Sequence, residues 1–277
     1  MKIVKLRYLA FIVYLLVFSA KAEAFFVDTI VIPSKACGIN IKTIVILPDK
    51  ALGENGQNCP VVYLLHGHSG NEMDWITKKK DLTRIADEKN IIIVCPDGKN
   101  SWYLDSPLKK DNQYETFISL ELVSYIDKHY RTIPDRRGRA ITGLSMGGHG
   151  ALYNAFKHKN VFGAVGSMSG AIDIKRRGDN FGLIHLLPTM AGGNTSNWGN
   201  HSVIAQITNL KNKDLAIIID CGRDDFCFPL NEAINKVLVE KGIEHDYIVR
   251  PGNHTWDYWI NALDYHILFF CKYFVLK

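Results

Sequence analysis

The sequence of 277 residues lacks the features that mark several protein classes. No run of lysine and arginine is longer than the three lysines at 78–80, and the formal net charge is only +5, which argues against a nucleic-acid partner. The six cysteines form no C-x-x-C pair and no closely spaced framework, so neither a zinc ribbon nor a small disulfide-rich fold is indicated. No repeat or low-complexity segment interrupts the chain, and its 47% hydrophobic content is typical of a globular protein.

Residues 1–24 are organised like a secretory signal peptide. Three basic side chains precede the apolar run YLAFIVYLLVF, and the sequence AEA at 22–24 offers the small residues that a signal peptidase recognises. This run is far shorter than the ~20 apolar residues that span a bilayer, so we expect cleavage and no lasting membrane anchor. Residues 25–277 would then be exported to the periplasm or the extracellular space as one domain. Its net charge would be +2, because the leader holds four basic residues and one acidic residue.

Short apolar runs alternate with helical patterns, which predicts an α/β fold with a mostly parallel sheet and helices on both faces. Runs such as VVYLL and IIIVC are apolar at every position, as in strands that are covered on both sides. Eight strands are predicted, the first two antiparallel, at Phe25–Pro33, Asn40–Leu47, Val61–Leu65, Ile91–Cys95, Ala140–Leu144, Phe162–Ser167, Leu215–Cys221 and Asp246–Arg250. Helices are predicted at Glu115–Tyr130, Pro229–Lys241 and Trp256–Tyr273. Residues 171–213 are predicted to form a small irregular excursion instead of a large cap, with a short helix around Leu183–Ala191.

The strongest chemical signal is the segment Gly143-Leu144-Ser145-Met146-Gly147, a G-x-S-x-G motif. It follows the strand pattern RAITGL and precedes the small-residue helix pattern GGHGALYNAF. A serine on a tight strand-to-helix turn projects its hydroxyl above the sheet, and the flanking glycines let the turn form. We therefore predict Ser145 as a nucleophile.

A serine hydroxyl is a weak nucleophile until a neighbouring base takes its proton. In folds of this type the acid and then the histidine follow the serine along the chain. His254 lies in the loop PGNHTW between the last strand and the last helix, and we predict it as the base. The later His266 falls within the helical pattern YHILFF, where packing is the favoured interpretation.

The acid that orients the base should follow the preceding strand, which leads into the loop GRDDF. We predict Asp225 in this role, with Asp224 as the alternative and Asp220, inside the strand, less favoured. Cys221 and Cys227 are close enough in sequence for a disulfide across the same loop, but unpaired cysteines are favoured.

An oxyanion intermediate needs two hydrogen-bond donors. The backbone N–H of Met146, directly after the nucleophile, is the first. The glycine-rich loop HGHSGN after the strand VVYLL offers the second, the N–H of His68. His66 and His68 could instead be metal ligands, but this pair alone is a weak metal signal.

The segments HGHSGNEMDW, PDGKNSWYLDSP, GLSMGGHGA, DCGRDDF and GNHTWDYW, in this order, resemble the esterase-D-like group of α/β hydrolases. This group includes feruloyl and acetylxylan esterases, tributyrin-type esterases, S-formylglutathione hydrolases and mycolyltransferases. The resemblance implies an α/β-hydrolase fold and a Ser-His-Asp triad of Ser145, Asp225 and His254. It also implies that the backbone N–H groups of His68 and Met146 bind the oxyanion, and that neither a cofactor nor a metal is required.

The resemblance, together with the signal peptide, predicts a secreted serine esterase that removes acetyl or feruloyl groups from plant polysaccharide, or hydrolyses small acyl esters. S-formylglutathione hydrolysis and acyl transfer to a sugar are alternatives with the same chemistry. A non-catalytic carbohydrate-binding protein is the alternative from another class. We expect Trp102, Tyr103 and Trp256 to contact the substrate, since aromatic rings near the site can stack on a sugar or a ferulate ring; packing at the rim is the other interpretation.

We predict that the chain is processed after residue 24 or 22 when it is expressed in a host with an export pathway. N-terminal sequencing of the exported protein should then begin at Phe25 or Glu23. Replacing Leu15 and Leu16 by arginine interrupts the apolar run and should block export. A mature protein that keeps its first 24 residues would contradict the prediction.

Overall fold

The computed structural model describes residues 26–174, 181–190 and 195–275. The predicted signal peptide lies outside these residues, and so do parts of the predicted excursion. Among the helices described, none combines the length and the apolar character that a bilayer span requires.

Eight strands form one sheet in the order β1-β2-β4-β3-β5-β6-β7-β8. Strand β2 is antiparallel to both of its neighbours, β1 and β4, while the remaining neighbours are parallel. The strands are β1 (Phe26–Ser34), β2 (Ile39–Leu47), β3 (Val61–Leu65), β4 (Ile92–Pro96), β5 (Arg139–Gly143), β6 (Ala164–Met168), β7 (Ala216–Gly222) and β8 (Asp246–Arg250). The α/β-hydrolase prediction is thereby confirmed, including the antiparallel opening pair.

The described helices are α1 (Asp74–Lys78), α2 (Leu82–Lys89), α3 (Tyr114–Thr116), α4 (Val123–His129), α5 (Met146–Lys157), α6 (Val203–Gln206), α7 (Phe228–Glu240) and α8 (Trp256–Val275). A π-helical segment, Phe117–Leu122, joins α3 to α4, so the predicted helix at Glu115–Tyr130 exists but is not regular. Near the predicted helix at Leu183–Ala191, the described residues hold only a single 3₁₀ turn, Leu183–His185. The predictions of α7 and α8 are confirmed within two residues.

Strand β3 shows why its run of apolar residues is needed. Val61, Tyr63 and Leu65 pack into the hydrophobic core on one face of the sheet. Val62 and Leu64 pack into the core on the other face. Because successive side chains in a strand point to opposite faces, only a continuous apolar run fills both cores.

The cysteines contribute to packing rather than to cross-links. Cys95 and Cys221 lie buried in β4 and β7, as expected for small apolar side chains. Within the described chain no disulfide forms, so Cys221 and Cys227 are not bridged.

Two fully buried histidines should make the fold sensitive to acid. Burial lowers the pKa of His149 to about 4, although carbonyl groups of His201 and Trp102 oppose this shift. Burial, together with the charge of Arg250, lowers the pKa of His266 to about 3. In the unfolded chain both should titrate near pH 6.5, so the unfolded state binds protons that the folded state excludes.

We therefore predict that the free energy of unfolding is highest above about pH 6.5 and falls as the pH decreases toward 4. Each of the two histidines contributes a slope of up to about 1.4 kcal/mol per pH unit. Urea denaturation at pH 7.5, 6.5, 5.5 and 5.0 measures this slope. His266→Gln should make it shallower, whereas His185→Gln, at an exposed site, should not. Equal slopes for the wild type and His266→Gln would contradict the assignment.

Candidate active site

Ser145 occupies the turn between β5 and α5 and has φ 52° and ψ −114°, a conformation that L-residues rarely adopt. Such a residue costs on the order of 1–3 kcal/mol and persists only where its surroundings hold it in place. Its N–H donates to the carbonyl of Met168 at 2.9 Å. Its own carbonyl accepts hydrogen bonds from the N–H groups of His149 and Ala171, at 3.0 and 3.1 Å.

The two glycines of the motif are required by close backbone contacts. A Cβ atom on Gly143 would lie 2.7 Å from the carbonyl oxygen of Leu65, at the end of β3. A Cβ atom on Gly147 would lie 2.5 Å from the carbonyl oxygen of His66. Any side chain at either position would therefore push the turn away from β3.

A chain of hydrogen bonds joins the three side chains that the sequence singles out. The Nε2 atom of His254 lies 2.9 Å from the Oγ atom of Ser145. The Nδ1 atom of His254 lies 2.9 Å from each carboxylate oxygen of Asp225. With Nδ1–H donating to the carboxylate, Nε2 is left to accept the proton of Ser145.

The carboxylate of Asp225 remains charged although only 4% of the residue is exposed. Burial raises its pKa, but hydrogen bonds from His254 and from the N–H of Cys227 outweigh burial, and the pKa lies below its ordinary value. A buried anion beside Nδ1 keeps the imidazole oriented and stabilises its cationic form.

The residues considered as alternatives to Asp225 and to His254 lie outside this hydrogen-bonded chain. Asp224 is mostly exposed, with 56% of its side chain accessible. The buried Asp220 carboxylate accepts hydrogen bonds from Arg250 and from the hydroxyl of Tyr258. His266 is buried in α8 with its Nδ1 atom 2.9 Å from the hydroxyl of Thr142.

Direct contacts tie the loop that carries Asp225 to the loop that carries His254. The N–H of Asp224 donates to the carbonyl of Gly252 at 3.0 Å, and the N–H of Arg223 donates to the carbonyl of Arg250 at 2.8 Å. The ion pair between Arg250 and Asp220 joins the ends of β8 and β7. The parallel pairing of these two strands therefore sets the spacing of the acid and the base.

The predicted oxyanion donors lie beside the serine. His68 and Met146 line the same cavity as Ser145. Among the described residues, the backbone N–H groups of His68 and Met146 have no acceptor, which is the condition for binding an oxyanion.

The His66–His68 metal hypothesis is wrong for His66. Its Nδ1–H donates to the carbonyl of Gly67 at 2.7 Å, and its Nε2 accepts a hydrogen bond from the N–H of Gly98 at 2.7 Å, so neither ring nitrogen is available to bind a metal.

In the described part of the chain, ligand atoms of Asp225, Cys227 and His254 lie within 4.8 Å of one another. Two of these three side chains belong to the hydrogen-bonded chain of the site.

A cavity of about 530 Å³ opens beside Ser145. Of the predicted substrate contacts, Trp102 and Trp256 line it. The prediction for Tyr103 is wrong: its side chain is fully buried, and its hydroxyl donates to the carbonyl of His66 at 3.1 Å. The complete lining is Gly67, His68, Asp74, Trp102, Leu144, Ser145, Met146, Ala171, Phe181, Phe226, His254, Thr255, Trp256 and Trp259.

The cavity lining also holds aromatic and charged residues that were not predicted as substrate contacts, among them Phe226, Trp259, Asp74 and Phe181. Phe226 directly follows Asp225, so its place beside the base could have been inferred from the loop. Trp259 lies one helical turn after Trp256, a spacing that puts both on one face of α8. Asp74 and Phe181 carry no sequence signal, because their positions depend on contacts far along the chain.

The family model named Esterase matches residues 34–270. The chain belongs to this family. An acetyl esterase of Caldicellulosiruptor saccharolyticus is 31% identical to this Esterase-family chain over 226 residues, which cover 76% of this chain and 84% of that protein. The family and this relative confirm the predicted enzyme class, a carboxylic ester hydrolase.

Solved structures agree with the family assignment. A ferulic acid esterase matches with a TM-score of 0.78 and 30% identity, covering 90% of this Esterase-family chain and 98% of its own. An S-formylglutathione hydrolase from Agrobacterium tumefaciens matches with a TM-score of 0.75 over 91% of this chain and 97% of its own. At 20% identity, this second similarity shows the fold alone.

We predict that Asp225→Asn lowers kcat for p-nitrophenyl acetate on the order of 10³-fold or more, because the neutral amide no longer stabilises the cationic imidazole. Asp224→Asn, one residue away and exposed, is the matched control and should stay within about twofold of the wild type. Thermal unfolding of both variants shows whether the fold is kept. A larger loss in Asp224→Asn would assign the acid to that residue instead.

Proposed function

We propose that the protein is a serine esterase in which Ser145 is the nucleophile, His254 the general base and Asp225 the orienting acid. The hydrogen-bonded chain from Ser145 Oγ through the imidazole to the buried carboxylate carries this proposal. The position of Ser145 on a strained turn beside an open cavity supports the proposal further.

The reaction follows from this geometry in two halves. His254 Nε2 takes the proton of Ser145 as Oγ attacks the ester carbonyl, and the resulting oxyanion accepts hydrogen bonds from the N–H groups of Met146 and His68. The protonated imidazole then gives its proton to the leaving alcohol as the carbon–oxygen bond breaks. Water, activated by the same histidine, releases the acid from Ser145.

We propose acetyl or feruloyl esters of plant polysaccharide as the substrates. The names of two relatives, an acetyl esterase and a ferulic acid esterase, support this class. The cavity of about 530 Å³, lined by Trp102, Phe181, Phe226, Trp256 and Trp259, offers aromatic surface for such groups. Export of the chain, proposed from residues 1–24, would bring the enzyme to a polymeric substrate that stays outside the cell.

A substrate panel separates this proposal from its alternatives. Acetylated xylan, methyl ferulate, tributyrin and S-formylglutathione are compared by kcat/KM at equal enzyme concentration. A preference for S-formylglutathione would favour the thioesterase alternative, and acyl transfer to an added sugar in preference to water would favour the acyltransferase.

We predict that Ser145→Ala lowers kcat by on the order of 10³-fold or more on every hydrolysed ester, because the members of a triad act as a unit. A serine-directed fluorophosphonate should transfer its phosphonyl group to Oγ of Ser145 with loss of fluoride, which raises the mass of the wild type and leaves that of Ser145→Ala unchanged. Ser124→Ala, at an exposed position on α4, is the control and should retain activity. Near-normal turnover by Ser145→Ala would contradict the serine mechanism, and the absence of turnover in the wild type would favour the non-catalytic alternative.

A further inference from the structure

The loop that carries the predicted oxyanion donor His68 is held by the loop after the neighbouring strand. We call residues 66–70, which follow β3, the oxyanion loop, and residues 97–103, which follow β4, the clamp loop. A Cβ atom on Gly67 would lie 3.6 Å from the Cβ atom of Ser145, so the oxyanion loop runs directly beside the nucleophile. The orientation of its backbone therefore decides whether an N–H group faces the reacting carbon.

The peptide group between Gly67 and His68 contains both the predicted donor and the oxygen atom by which it is held. The carbonyl oxygen of Gly67 accepts hydrogen bonds from Nδ1–H of His66 at 2.7 Å and from the N–H of Gly70 at 3.1 Å. A trans peptide group is planar, and its carbonyl and its N–H point in opposite directions. Fixing the carbonyl of Gly67 therefore also fixes the N–H of His68, a residue of the cavity lining whose N–H has no acceptor among the described residues.

The tautomer of His66 follows from its second contact. The N–H of Gly98 in the clamp loop lies 2.7 Å from Nε2, and two donors cannot share so short a contact, so Nε2 is the acceptor and Nδ1 carries the proton. The carboxylate of Asp97 lies 3.7 Å from Nε2, beyond hydrogen-bond distance, and accepts the N–H of Lys99 at 2.9 Å. Because only 1% of His66 is exposed, water does not compete for its ring nitrogens.

Two further hydrogen bonds join the clamp loop to the oxyanion loop. The hydroxyl of Tyr103 donates to the carbonyl of His66 at 3.1 Å, and the side-chain oxygen of Asn100 accepts the N–H of Ser69 at 2.7 Å. The ring of Tyr103 is itself held in place, because a Cβ atom on Gly150 of α5 would lie 2.5 Å from it. The nucleophile helix α5, the clamp loop and the oxyanion loop are thus packed against one another.

Uncommon backbone conformations are concentrated in the same two loops. Non-glycine residues with positive φ persist only where the surrounding structure holds them, and they cluster at functional sites. Half of the eight such residues in the described chain belong to the two loops, namely Ser69 (φ 64°), Lys99 (φ 46°), Trp102 (φ 55°) and Tyr103 (φ 53°). This concentration fits a pair of loops that position a functional group.

We infer that His66 is a positioning residue of the oxyanion site. Its Nδ1–H keeps the peptide between Gly67 and His68 turned so that the N–H of His68 faces the cavity beside Ser145, and the N–H of Gly98 keeps the imidazole in the required tautomer. Without this contact the peptide is free to turn over and present a carbonyl oxygen, which repels an oxyanion. The inference rests on the proposed serine esterase mechanism. It predicts a loss in kcat rather than in KM, because the oxyanion forms only after Oγ attacks.

Two substitutions separate the two contacts of His66. An asparagine amide can take the place of Nδ1 and donate to the carbonyl of Gly67, whereas a glutamine amide reaches the place of Nε2 and leaves that carbonyl without this donor. We expect His66→Gln to lower kcat for p-nitrophenyl acetate about 30-fold with little change in KM, and His66→Asn to keep kcat within about fivefold of the wild type. Tyr63→Phe removes a buried hydroxyl that has no partner in the described chain, and this control should match the wild type.

A second substrate shows whether the loss lies in oxyanion binding. O-p-nitrophenyl thionoacetate carries sulfur, a weak hydrogen-bond acceptor, in place of the carbonyl oxygen, and it releases the same p-nitrophenolate. The readout is the ratio of kcat/KM for the oxygen ester to kcat/KM for the sulfur ester. His66→Gln should lower this ratio about tenfold, whereas damage to the triad or to the core slows both esters and leaves the ratio unchanged. An unchanged ratio in His66→Gln, or equal ratios for His66→Gln and His66→Asn, overturns the inference.

The wild type offers a measurement that does not depend on the folding of a variant. Long-range nitrogen-15 NMR correlations distinguish an imidazole that is protonated at Nδ1 from one that is protonated at Nε2. We expect His66 to carry its proton on Nδ1 at neutral pH, and a proton on Nε2 overturns the inference. Failure of the underlying mechanism appears separately, as hydrolysis of p-nitrophenyl acetate by Ser145→Ala at the rate of the wild type.

Discussion

The close approach of the β5–α5 turn to the end of β3 sets the geometry of the whole site. Gly143 and Gly147 leave no room for a Cβ atom beside the carbonyl groups of Leu65 and His66. This contact places Ser145 next to the loop after β3, whose N–H groups border the same cavity. The strain at Ser145 is offset by the hydrogen bonds that hold its N–H and its carbonyl.

Asp225 and His254, the other two members of the hydrogen-bonded chain, lie in the loops after β7 and β8. Parallel strands bring their carboxyl ends to one edge of the sheet, so the loops after β7 and β8 converge on the loop after β5. The Asp220–Arg250 pair and the backbone bonds between these loops keep Asp225 and His254 at hydrogen-bond distance. Ser145, Asp225 and His254 thus lie together at one edge of the sheet.

The cavity combines rigid and exposed aromatic surface. Trp102 is almost completely buried, and its indole N–H donates to the carbonyl of Phe181, so its ring forms a fixed wall. Phe226 stands at the rim over the base with more than half of its surface accessible. The ring of Trp102 is therefore held in place by its burial and its hydrogen bond, whereas the ring of Phe226 is more exposed to solvent.

The sequence by itself determined the strands, the serine turn and the loops that carry Asp225 and His254. Apolar runs and strand-to-helix turns are local patterns, whereas the order of the strands in the sheet was given only by the tertiary structure. The direction of individual side chains was decided only by the tertiary structure. Tyr103 points into the core while Phe226 points outward, and both nitrogens of His66 are taken by backbone groups. Such orientations depend on contacts between residues far apart in the chain, which no local pattern encodes.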